Sequence, residues 1–269
     1  ASRTIDVVVC VHNAREDAER CLASVLRHTS GPGRRLIVVD DGSDAETRGW
    51  LDTVARTHPG VTLVRNPTAT GYTRAANAGL RATTADFVIL LNSDTVVTPG
   101  WAEKMADAVF STRGAGIVGP LSNAASYQSI PDTHGTATQT AVNALAAGLT
   151  PDEINARCEA WTEGAEMPYV PLVHGFCFGI TREALELVGT FDEVLFPEGY
   201  GEENDYCMRA LELGVWPVVA THTFVFHAKS KSYTEERRSA LAERSQQVLY
   251  DTHGRATFLR YVEMLRSQP

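Results

Sequence analysis

Apolar runs and amphipathic segments alternate along the first third of the chain. Residues Ile5–Val11, 36–39 and 87–91 are almost continuously aliphatic or aromatic, with many β-branched side chains. Such runs predict strands that are buried on both faces of a parallel sheet. A shorter run at 61–64 predicts a further strand of the same kind.

Helical spacing separates these runs. Ala18, Leu22 and Val25 recur at intervals of three and four residues, and Leu51 and Val54 repeat the pattern after the second run. This spacing predicts helices with one apolar face. The order of strands and helices therefore predicts an α/β fold, with a mostly parallel central sheet and helices on both faces.

Polar residues indicate where further helices begin. Residues 74–81 have a helical composition, and Thr98-Pro99 offers an N-cap followed by a proline suited to the first helical position. Residues 150–153, Thr-Pro-Asp-Glu, match a capping box. The rest of the stretch 120–168 shows little periodicity, which is typical of an acceptor-side insertion and equally of a surface excursion.

Regular patterning returns after residue 170 and continues to the end of the chain. The predicted elements are a strand at 176–180, helices at 181–188 and 202–213 that end at Gly189 and Gly214, strands at 215–220 and 223–227, and one or two amphipathic helices from 234 onward, broken near Gly254.

Composition and charge exclude several classes of protein. The chain of 269 residues has a formal net charge of -9, which argues against a nucleic-acid-binding surface. It has five cysteines without a C-x-x-C pair, so we expect free thiols rather than disulfides or a zinc site. No apolar run is long enough to cross a membrane, and no signal peptide is evident. Because the sequence starts with Ala1, a piece of a longer polypeptide is one interpretation of the chain.

Polar clusters follow three of the predicted strands. They are His12-Asn13 after the first, Asp40-Asp41-Gly42-Ser43 after the second, and Asn92-Ser93-Asp94 after the fourth. Because ligands of open parallel sheets bind beyond the carboxyl ends of the strands, we expect these clusters to meet at one site.

Two of the clusters offer carboxylates with distinct uses. Asp41 lies where a base or ribose could donate hydrogen bonds, although a helix-capping turn explains the same residues. Asp94 offers a carboxylate to a hard cation that bridges diphosphate oxygens, although an Asx turn is the alternative. Gly71 and Arg74 open the next helix and could face the diphosphate, or form a plain turn with a surface arginine.

A second acidic group opens the helix predicted at 202–213. Glu202, Glu203 and Asp205 follow a glycine-rich loop, and crowding raises the proton affinity of a carboxylate, as a general base requires. Favourable interaction with the helix dipole is a purely structural alternative. His227 ends an apolar strand; it is a metal ligand only if it lies near Asp94, and otherwise a structural histidine.

Several of these motifs resemble the family 2 glycosyltransferases of GT-A fold. The resemblance covers roughly residues 5–233 and rests on residues 7–13, Val38-Val39-Asp40-Asp41-Gly42-Ser43, residues 66–77, Leu90-Leu91-Asn92-Ser93-Asp94, Gly175-Phe176-Cys177-Phe178, Gly189-Thr190-Phe191-Asp192-Glu193 and residues 201–209. The tail after Thr234 is not covered.

The resemblance implies roles for individual residues. On the donor side, the implied binding residues are His12, Asn13, Asp41, Arg74, Asn92 and Ser93. Asp94 matches the metal-binding acid of the D-x-D motif, whose first acid is Asn92 here, and His227 matches a metal-ligating histidine. Glu203 matches the catalytic base, usually Asp, with Glu202 and Asp205 as alternatives. Trp161 and His174 are implied to face the acceptor.

The resulting expectation is a metal-dependent, inverting sugar transferase. Residues 1–233 would form the transferase domain, with a nucleotide-sugar half at 1–119, an acceptor and catalytic half at 120–233, and a helical extension at 234–269. The implied cofactor is Mn²⁺ or Mg²⁺, the donor a UDP- or dTDP-sugar, and the acceptor a glycan or glycolipid hydroxyl, as in bacterial surface polysaccharide synthesis.

The sequence leaves two other functions and two cellular locations as alternatives. A sugar-nucleotide nucleotidyltransferase would carry a Gly- and Arg/Lys-rich loop after the first strand, where this chain has His12-Asn13-Ala14. A non-catalytic module of the same fold would lack the acidic helix start. We expect a cytoplasmic protein, with attachment to the inner face of the membrane as an alternative.

Overall fold

The computed structural model describes residues 3–133, 141–229 and 235–267. In this part of the chain the strands are β1 (Ile5–Val11), β2 (Arg34–Asp41), β3 (Val61–Asn66), β4 (Phe87–Asn92), β5 (Thr95–Val96), β6 (Ala115–Leu121), β7 (Cys177–Thr181), β8 (Trp216–Phe224) and β9 (Phe226–His227). The α-helices are α1 (Arg15–His28), α2 (Ala45–Thr57), α3 (Tyr72–Arg81), α4 (Trp101–Ser111), α5 (Pro151–Trp161), α6 (Arg182–Val188), α7 (Glu202–Glu212), α8 (Glu235–His253) and α9 (Arg255–Arg266).

Seven strands form one sheet in the order β3-β2-β1-β4-β7-β6-β8. β7 runs antiparallel to β4 and β6, and the other neighbouring pairs are parallel. The carboxyl ends of β1 to β4, β6 and β8 therefore share one edge with the amino end of β7. We call this the carboxyl edge. The predicted mostly parallel α/β sheet is confirmed.

Helices cover both faces of this sheet. Successive β1 residues point to opposite faces, so Val7 and Val9 join the core under α1, α2 and α4, whereas Val8 joins the core under α3 and α6 to α9. Both cores consist of fully buried aliphatic and aromatic side chains. Every cysteine is a free thiol, in agreement with the sequence prediction.

Most predicted element boundaries are confirmed. Thr150 and Glu153 form the capping box at the start of α5. Gly189, Gly214 and Gly254 have φ angles of +87°, +79° and +83° and follow or separate the helices as expected. These conformations favour glycine because it has no Cβ atom.

Three expectations about elements are wrong. Helix α4 begins at Trp101 after Gly100, not at Thr98, because the Thr98 hydroxyl donates to the carbonyl of Phe224 at 2.6 Å instead of capping the helix. Residues 215–220 and 223–227 are not two equal strands but the long β8 and the two-residue β9. The sequence analysis also missed β6, an internal strand of the sheet.

Glycines and a proline explain why β6 escaped prediction. Gly116, Gly119 and Pro120 interrupt its apolar pattern, and such residues are unfavourable in strands. A Cβ atom on Gly119 would lie 2.5 Å from Nε2 of Gln128, and one on Gly116 would lie 2.5 Å from a Val215 methyl carbon. Tertiary packing therefore requires residues that local propensity disfavours.

Candidate active site

The two-stranded sheet of β5 and β9 brings Asp94 and His227 together at the carboxyl edge. Thr95 is paired with His227, and the backbone amide of Ala228 donates to the carbonyl of Asp94 at 2.9 Å. Asn123, which follows β6, holds the backbone of His227. Its side chain accepts from the His227 amide at 2.8 Å and donates to the His227 carbonyl at 3.0 Å. The position of His227 is thus fixed by backbone pairing.

The hydrogen bonds of His227 assign its tautomer. Nδ1 lies 2.9 Å from the carbonyl oxygen of Ala124, which only accepts, so Nδ1 carries a proton. Nε2 lies 3.4 Å from Oδ1 of Asp94. The imidazole is 5% exposed and the Asp94 side chain 16% exposed. In the neutral tautomer, a nitrogen lone pair and a carboxylate oxygen face each other.

This pair suits a divalent cation. Imidazole nitrogen and carboxylate oxygen are ligands for Mn²⁺-type ions, and a proton on Nδ1 held by a carbonyl is the usual orientation of a metal-binding histidine. Among the described residues there is no group of three or more His, Cys, Asp or Glu side chains that could hold a metal ion. The protein would therefore supply Asp94 and His227, and a bound diphosphate would complete the coordination.

Aromatic side chains form a wall beside this pair. The Phe176 ring stacks on His227 with a centroid distance of 5.1 Å, and the His174 ring lies 6.1 Å from His227. Burial, together with the smaller effect of nearby His227, lowers the pKa of His174 to about 3. His174 Nδ1 accepts from the amide of Phe176 at 3.1 Å, so its Nε2 carries the proton.

Helix α7 presents its acidic start to the same wall. Glu203 Oε2 accepts from the amide of Gly201 at 3.2 Å. A Cβ atom on Gly175 would lie 3.3 Å from Cβ and Cγ of Glu203, so the side chain of Glu203 packs directly on the backbone beside His174. A continuous series of neighbours thus leads from Glu203 through His174 to His227 and Asp94.

The three acids of α7 occupy different environments. Glu202 is buried, and its Oε2 has no hydrogen-bond partner among the described residues. Burial raises the pKa of Glu202, and the charge of Glu203 raises it further. Burial also raises the pKa of Glu203, and backbone amides offset only part of this effect.

Asp205 differs from both glutamates. Burial opposes its ionisation, but hydrogen bonds from His253 Nε2 and Arg209 Nε, each 2.8 Å long, outweigh burial and lower the pKa of Asp205. The expectation that crowding raises the proton affinity of every acid here is therefore wrong for Asp205. Its ion pairs disfavour Asp205 as a general base and leave Glu203 better suited.

Asp41 organises the loop that leads to α3. Its carboxylate accepts from the Thr70 amide at 2.9 Å and hydroxyl at 2.7 Å, from the Gly71 amide at 3.0 Å, and from Asn66 Nδ2 at 2.8 Å. The residue is 4% exposed. Asp41 therefore shapes the donor side of the carboxyl edge, and direct contact with a base stays a prediction.

Asp40 is structural. Its carboxylate accepts from the Ser43 amide at 3.0 Å and from Arg65 Nε at 2.8 Å, and its side chain is fully buried. This agrees with the turn interpretation of the Asp40-Asp41-Gly42-Ser43 motif. The two neighbouring aspartates thus fix the turn and the loop respectively.

The remaining donor-side residues surround this loop. His12 Nδ1 lies 2.8 Å from the carbonyl of Asp41. Asn13 has a φ of +55°, and its Oδ1 accepts from the Asp44 amide at 2.8 Å. Asn92, the last residue of β4, and Ser93, which follows it, are partly exposed. No contact tests their role with a nucleotide, which stays a prediction.

Arg74 lies near Glu193, and the two residues predicted for the acceptor side, Trp161 and His174, have different surroundings. Arg74 Nη1 donates to the Thr70 carbonyl at 3.3 Å, and Arg74 Nε is 4.0 Å from Glu193 Oε2. The sequence analysis missed this partner as a site residue. Trp161 is 76% exposed at the end of α5, whereas His174 contacts the His227 ring. The structure therefore brings only His174 of these two into ring contact with His227.

Residues outside the predicted motifs support the site. Asn123 and Ala124 hold His227, and Gly175 contacts Glu203. Only the glycine lies within a recognisable motif. Asn123 and Ala124 follow a strand that the sequence analysis missed, so correct placement of β6 was the signal that could have found them.

The chain was compared with models of protein families. The model described as "Glycosyl transferase family 2" matches residues 6–188. In the part of the chain that the structure describes, no helix has both the length and the apolar character needed to cross a membrane.

Two curated relatives are named as sugar transferases. A pre-mycofactocin glycosyltransferase of Mycobacterium tuberculosis is 28% identical over 219 residues, which cover 79% of this chain and 40% of the relative. A probable polypeptide N-acetylgalactosaminyltransferase 8 of Homo sapiens is 32% identical over 124 residues, 43% of this chain and 19% of the relative. The chain thus spans about two fifths of the length of the mycobacterial relative.

Solved structures show the same fold. The mannosyltransferase PcManGT of Pyrobaculum calidifontis, in complex with GDP-Man and Mn²⁺, superposes with a TM-score of 0.64 and 20% identity, covering 93% of this chain and 64% of that one. GalNAc-T7 with UDP, GalNAc and Mn²⁺ gives a TM-score of 0.67 and 18% identity, with coverage of 92% and 47%.

Proposed function

The chain belongs to glycosyl transferase family 2, and from this premise we propose that it moves a sugar from a UDP- or dTDP-type donor to an acceptor hydroxyl with inversion. The observation that carries the proposal is the series of neighbours between Glu203 and the Asp94–His227 pair. It joins a carboxylate of raised proton affinity to a pair suited to a cation within one cluster at the carboxyl edge.

Asp94 and His227 would hold the divalent cation. The 3.4 Å separation of their facing atoms and the proton on Nδ1 of His227 support this assignment. Both structural neighbours are complexes with Mn²⁺. A cation bound here would neutralise charge on the departing diphosphate.

The donor would lie along β1, β2 and the start of α3. We assign its binding to the loop held by Asp41, with His12, Asn13, Arg74, Asn92 and Ser93 around it. The amide groups at the start of α3 lie at the positive end of the helix dipole, which favours the binding of a phosphate. The ligands of the two structural neighbours, GDP-Man in one and UDP with GalNAc in the other, support a sugar-nucleotide donor.

Glu203 would act as the general base. Its carboxylate takes the proton of the acceptor hydroxyl while the acceptor oxygen forms a bond to the anomeric carbon. The bond from that carbon to the diphosphate oxygen breaks, and the electron pair leaves with the nucleoside diphosphate. Base catalysis of this kind contributes roughly 10²–10⁴-fold. The raised pKa of Glu203, caused by burial, supports proton uptake.

The acceptor side would be the wall of Phe176 and His174. His174 Nε2 carries a proton and could donate to a sugar hydroxyl. We propose a growing glycan or glycolipid as acceptor, met in the cytoplasm or at the inner face of the membrane. Trp161 stays a predicted contact for the more distant part of such an acceptor.

A donor panel tests the proposal. Purified protein is incubated with Mn²⁺ and nucleoside-diphosphate sugars, with and without acceptor glycans, and released nucleoside diphosphate is measured. A nucleotidyltransferase would instead require a nucleoside triphosphate and release pyrophosphate.

Glu203→Gln tests the base within the same assay. We expect this variant to bind the donor as well as wild type does, with transfer reduced about 10²–10⁴-fold because the amide cannot take a proton. Glu186→Gln, an exposed glutamate of α6, is the matched control and should retain full transfer. Full activity of Glu203→Gln would remove Glu203 from the mechanism.

A further inference from the structure

Helix α8 packs against the residue that precedes α7. Gly201 precedes α7 with a φ of +109°. A Cβ atom there would lie 3.1 Å from Cβ of Ser245 and 3.0 Å from the Phe196 ring, so α8 approaches the α7 start at backbone distance. Ser245 is 8% exposed and Leu249, one turn later, is 2% exposed. The α8 helix is thus part of the core under α7.

A buried hydrogen bond adds a second point of contact. His253, the last residue of α8, donates from Nε2 to Oδ1 of Asp205 at 2.8 Å. The two side chains are 4% and 2% exposed. Ser245 and His253 are about 12 Å apart along the helix axis at the standard rise, so two separated contacts hold α7.

These contacts lie on the side of α7 away from the acceptor wall. Asp205 follows Glu203 by two residues, which places their side chains about 200° apart around the helix axis. Glu203 packs on Gly175, whereas Asp205 meets α8. A change in the Asp205–His253 contact would therefore rotate or tilt the first turn that carries Glu203.

The helix that follows α8 contacts the metal side of the site. Arg266, at the end of α9, donates from Nε to the Tyr127 hydroxyl at 3.3 Å. Tyr127 belongs to the short 3₁₀ helix Ser126–Gln128, which directly follows Asn123 and Ala124. The pair of helices thus contacts both the helix of the base and the segment that holds His227.

We propose that α8 and α9 position the catalytic groups, with His253 acting as a positioning residue for Glu203 through Asp205. The inference rests on the proposed function, because it assigns Glu203 as the base. A displacement of about 1 Å at a catalytic group can reduce turnover about 100-fold, so a buried contact two residues from the base is sufficient to control the rate.

The test compares His253→Leu with His253→Gln. Leucine keeps much of the volume and removes the donor, whereas glutamine places an amide donor near the position of Nε2. Asp205→Asn, which removes the carboxylate charge without changing the volume, is a second variant that stays informative if His253→Leu does not fold. Gln247→Ala is the matched control, because Gln247 is exposed on α8 and bonds only to Asp251 among the described residues.

Three readouts are taken for each variant. Hydrogen exchange of residues 201–209 reports the order of the first turns of α7 without requiring activity. Donor affinity and kcat are then measured separately. For His253→Leu and Asp205→Asn we expect faster exchange in this segment, kcat reduced about 10–100-fold, and donor Kd within twofold of wild type. His253→Gln should recover most of kcat, and Gln247→Ala should match wild type in every readout.

Unchanged exchange at 201–209 in the folded variants would overturn the inference, as would an unchanged kcat. A loss of donor affinity equal to the loss of kcat would also overturn it, because general destabilisation would then explain the result. If wild type transfers no sugar from any donor, the proposed function fails, and the exchange data still decide whether α8 orders α7.

Discussion

The carboxylates that follow two strands of the sheet, Asp40-Asp41 and Asp94, look alike in sequence and differ in structure. Asp40 and Asp41 end β2, and Asp94 follows β4, all at the carboxyl edge. The carboxylates of Asp40 and Asp41 are buried and surrounded by amide, hydroxyl and guanidinium donors of the protein. The Asp94 side chain is 16% exposed, and its Oδ1 lies 3.4 Å from Nε2 of His227.

The difference separates carboxylates that hold the local backbone from the carboxylate to which we assign a metal ion. A carboxylate that accepts several internal hydrogen bonds stabilises the local backbone, because each donor would otherwise be buried without a partner. Oδ1 of Asp94 lies 3.4 Å from Nε2 of His227, and we assign to this pair the binding of a divalent cation. The same contrast recurs in α7, between Asp205 with its ion pairs and Glu203.

The largest expected effect is on folding and comes from Asp41. Replacing Asp41 by Ala leaves the amides of Thr70 and Gly71 and the Asn66 side chain without their acceptor. We expect the free energy of unfolding to fall by about 3 kcal/mol, since a hydrogen bond to a charged group contributes roughly 1.5–3 kcal/mol. Urea denaturation measures the change.

Asp94→Ala is the control for this comparison. Because Asp94 faces His227 and is partly exposed, we expect its replacement to change the free energy of unfolding by less than about 1 kcal/mol. Equal losses for the two variants would break the distinction between these two kinds of carboxylate.

The second effect is the pH dependence of transfer. Burial raises the pKa of Glu203, and a base must be deprotonated to act. The rate should therefore fall about tenfold per pH unit as pH drops below this raised pKa, which lies above the ordinary value of 4.5. A pH profile of kcat measures it. A rate that stays constant down to pH 4.5 would exclude a base with raised proton affinity.

The third effect concerns His227. Replacing His227 by Gln removes the ring nitrogen facing Asp94, so the affinity for Mn²⁺ in the presence of nucleoside diphosphate should fall roughly 10–100-fold. Titration calorimetry measures this affinity. His222→Gln is the control, because His222 lies in β8, and its side chain lines a separate cavity of about 370 Å³ beside Tyr169. A similar loss in both variants would contradict a specific ligand role.

The smallest effect is expected for Arg74. Arg74 is half-exposed and lies 4.0 Å from Glu193, a pair of the weak surface type. Arg74→Ala should weaken donor binding by up to about fivefold, since a partly exposed ion pair between the arginine and the diphosphate contributes up to about 1 kcal/mol. Arg81→Ala, which removes the other arginine beside Glu193, should leave donor binding unchanged.

Sequence reasoning predicted the sheet where burial leaves a local signature. Strands β1, β2 and β4 are buried on both faces, so their central residues are apolar and the pattern is visible in the sequence. β6 is equally internal but contains Gly116, Gly119 and Pro120, whose positions follow from contacts with distant residues. Such contacts leave no periodic signal.

The site follows the same division. Motif resemblance identified Asp94, His227 and Glu203, because each lies next to a strand or helix end that the sequence indicates. The partners that fix them are distant in the chain: Ala124 is 103 residues from His227, and His253 is 48 residues from Asp205. Only the fold shows that Asp205 is hydrogen-bonded to these partners while Glu203 packs on Gly175.

The central claim is tested most directly by donor binding with and without metal. Titration calorimetry compares wild type and Asp94→Asn, each with UDP or dTDP in the presence of Mn²⁺ or of EDTA. The account predicts that Mn²⁺ raises the affinity of wild type at least about tenfold, the equivalent of 1.4 kcal/mol, and has little effect on Asp94→Asn. Equal enhancement by Mn²⁺ in both proteins would contradict the account.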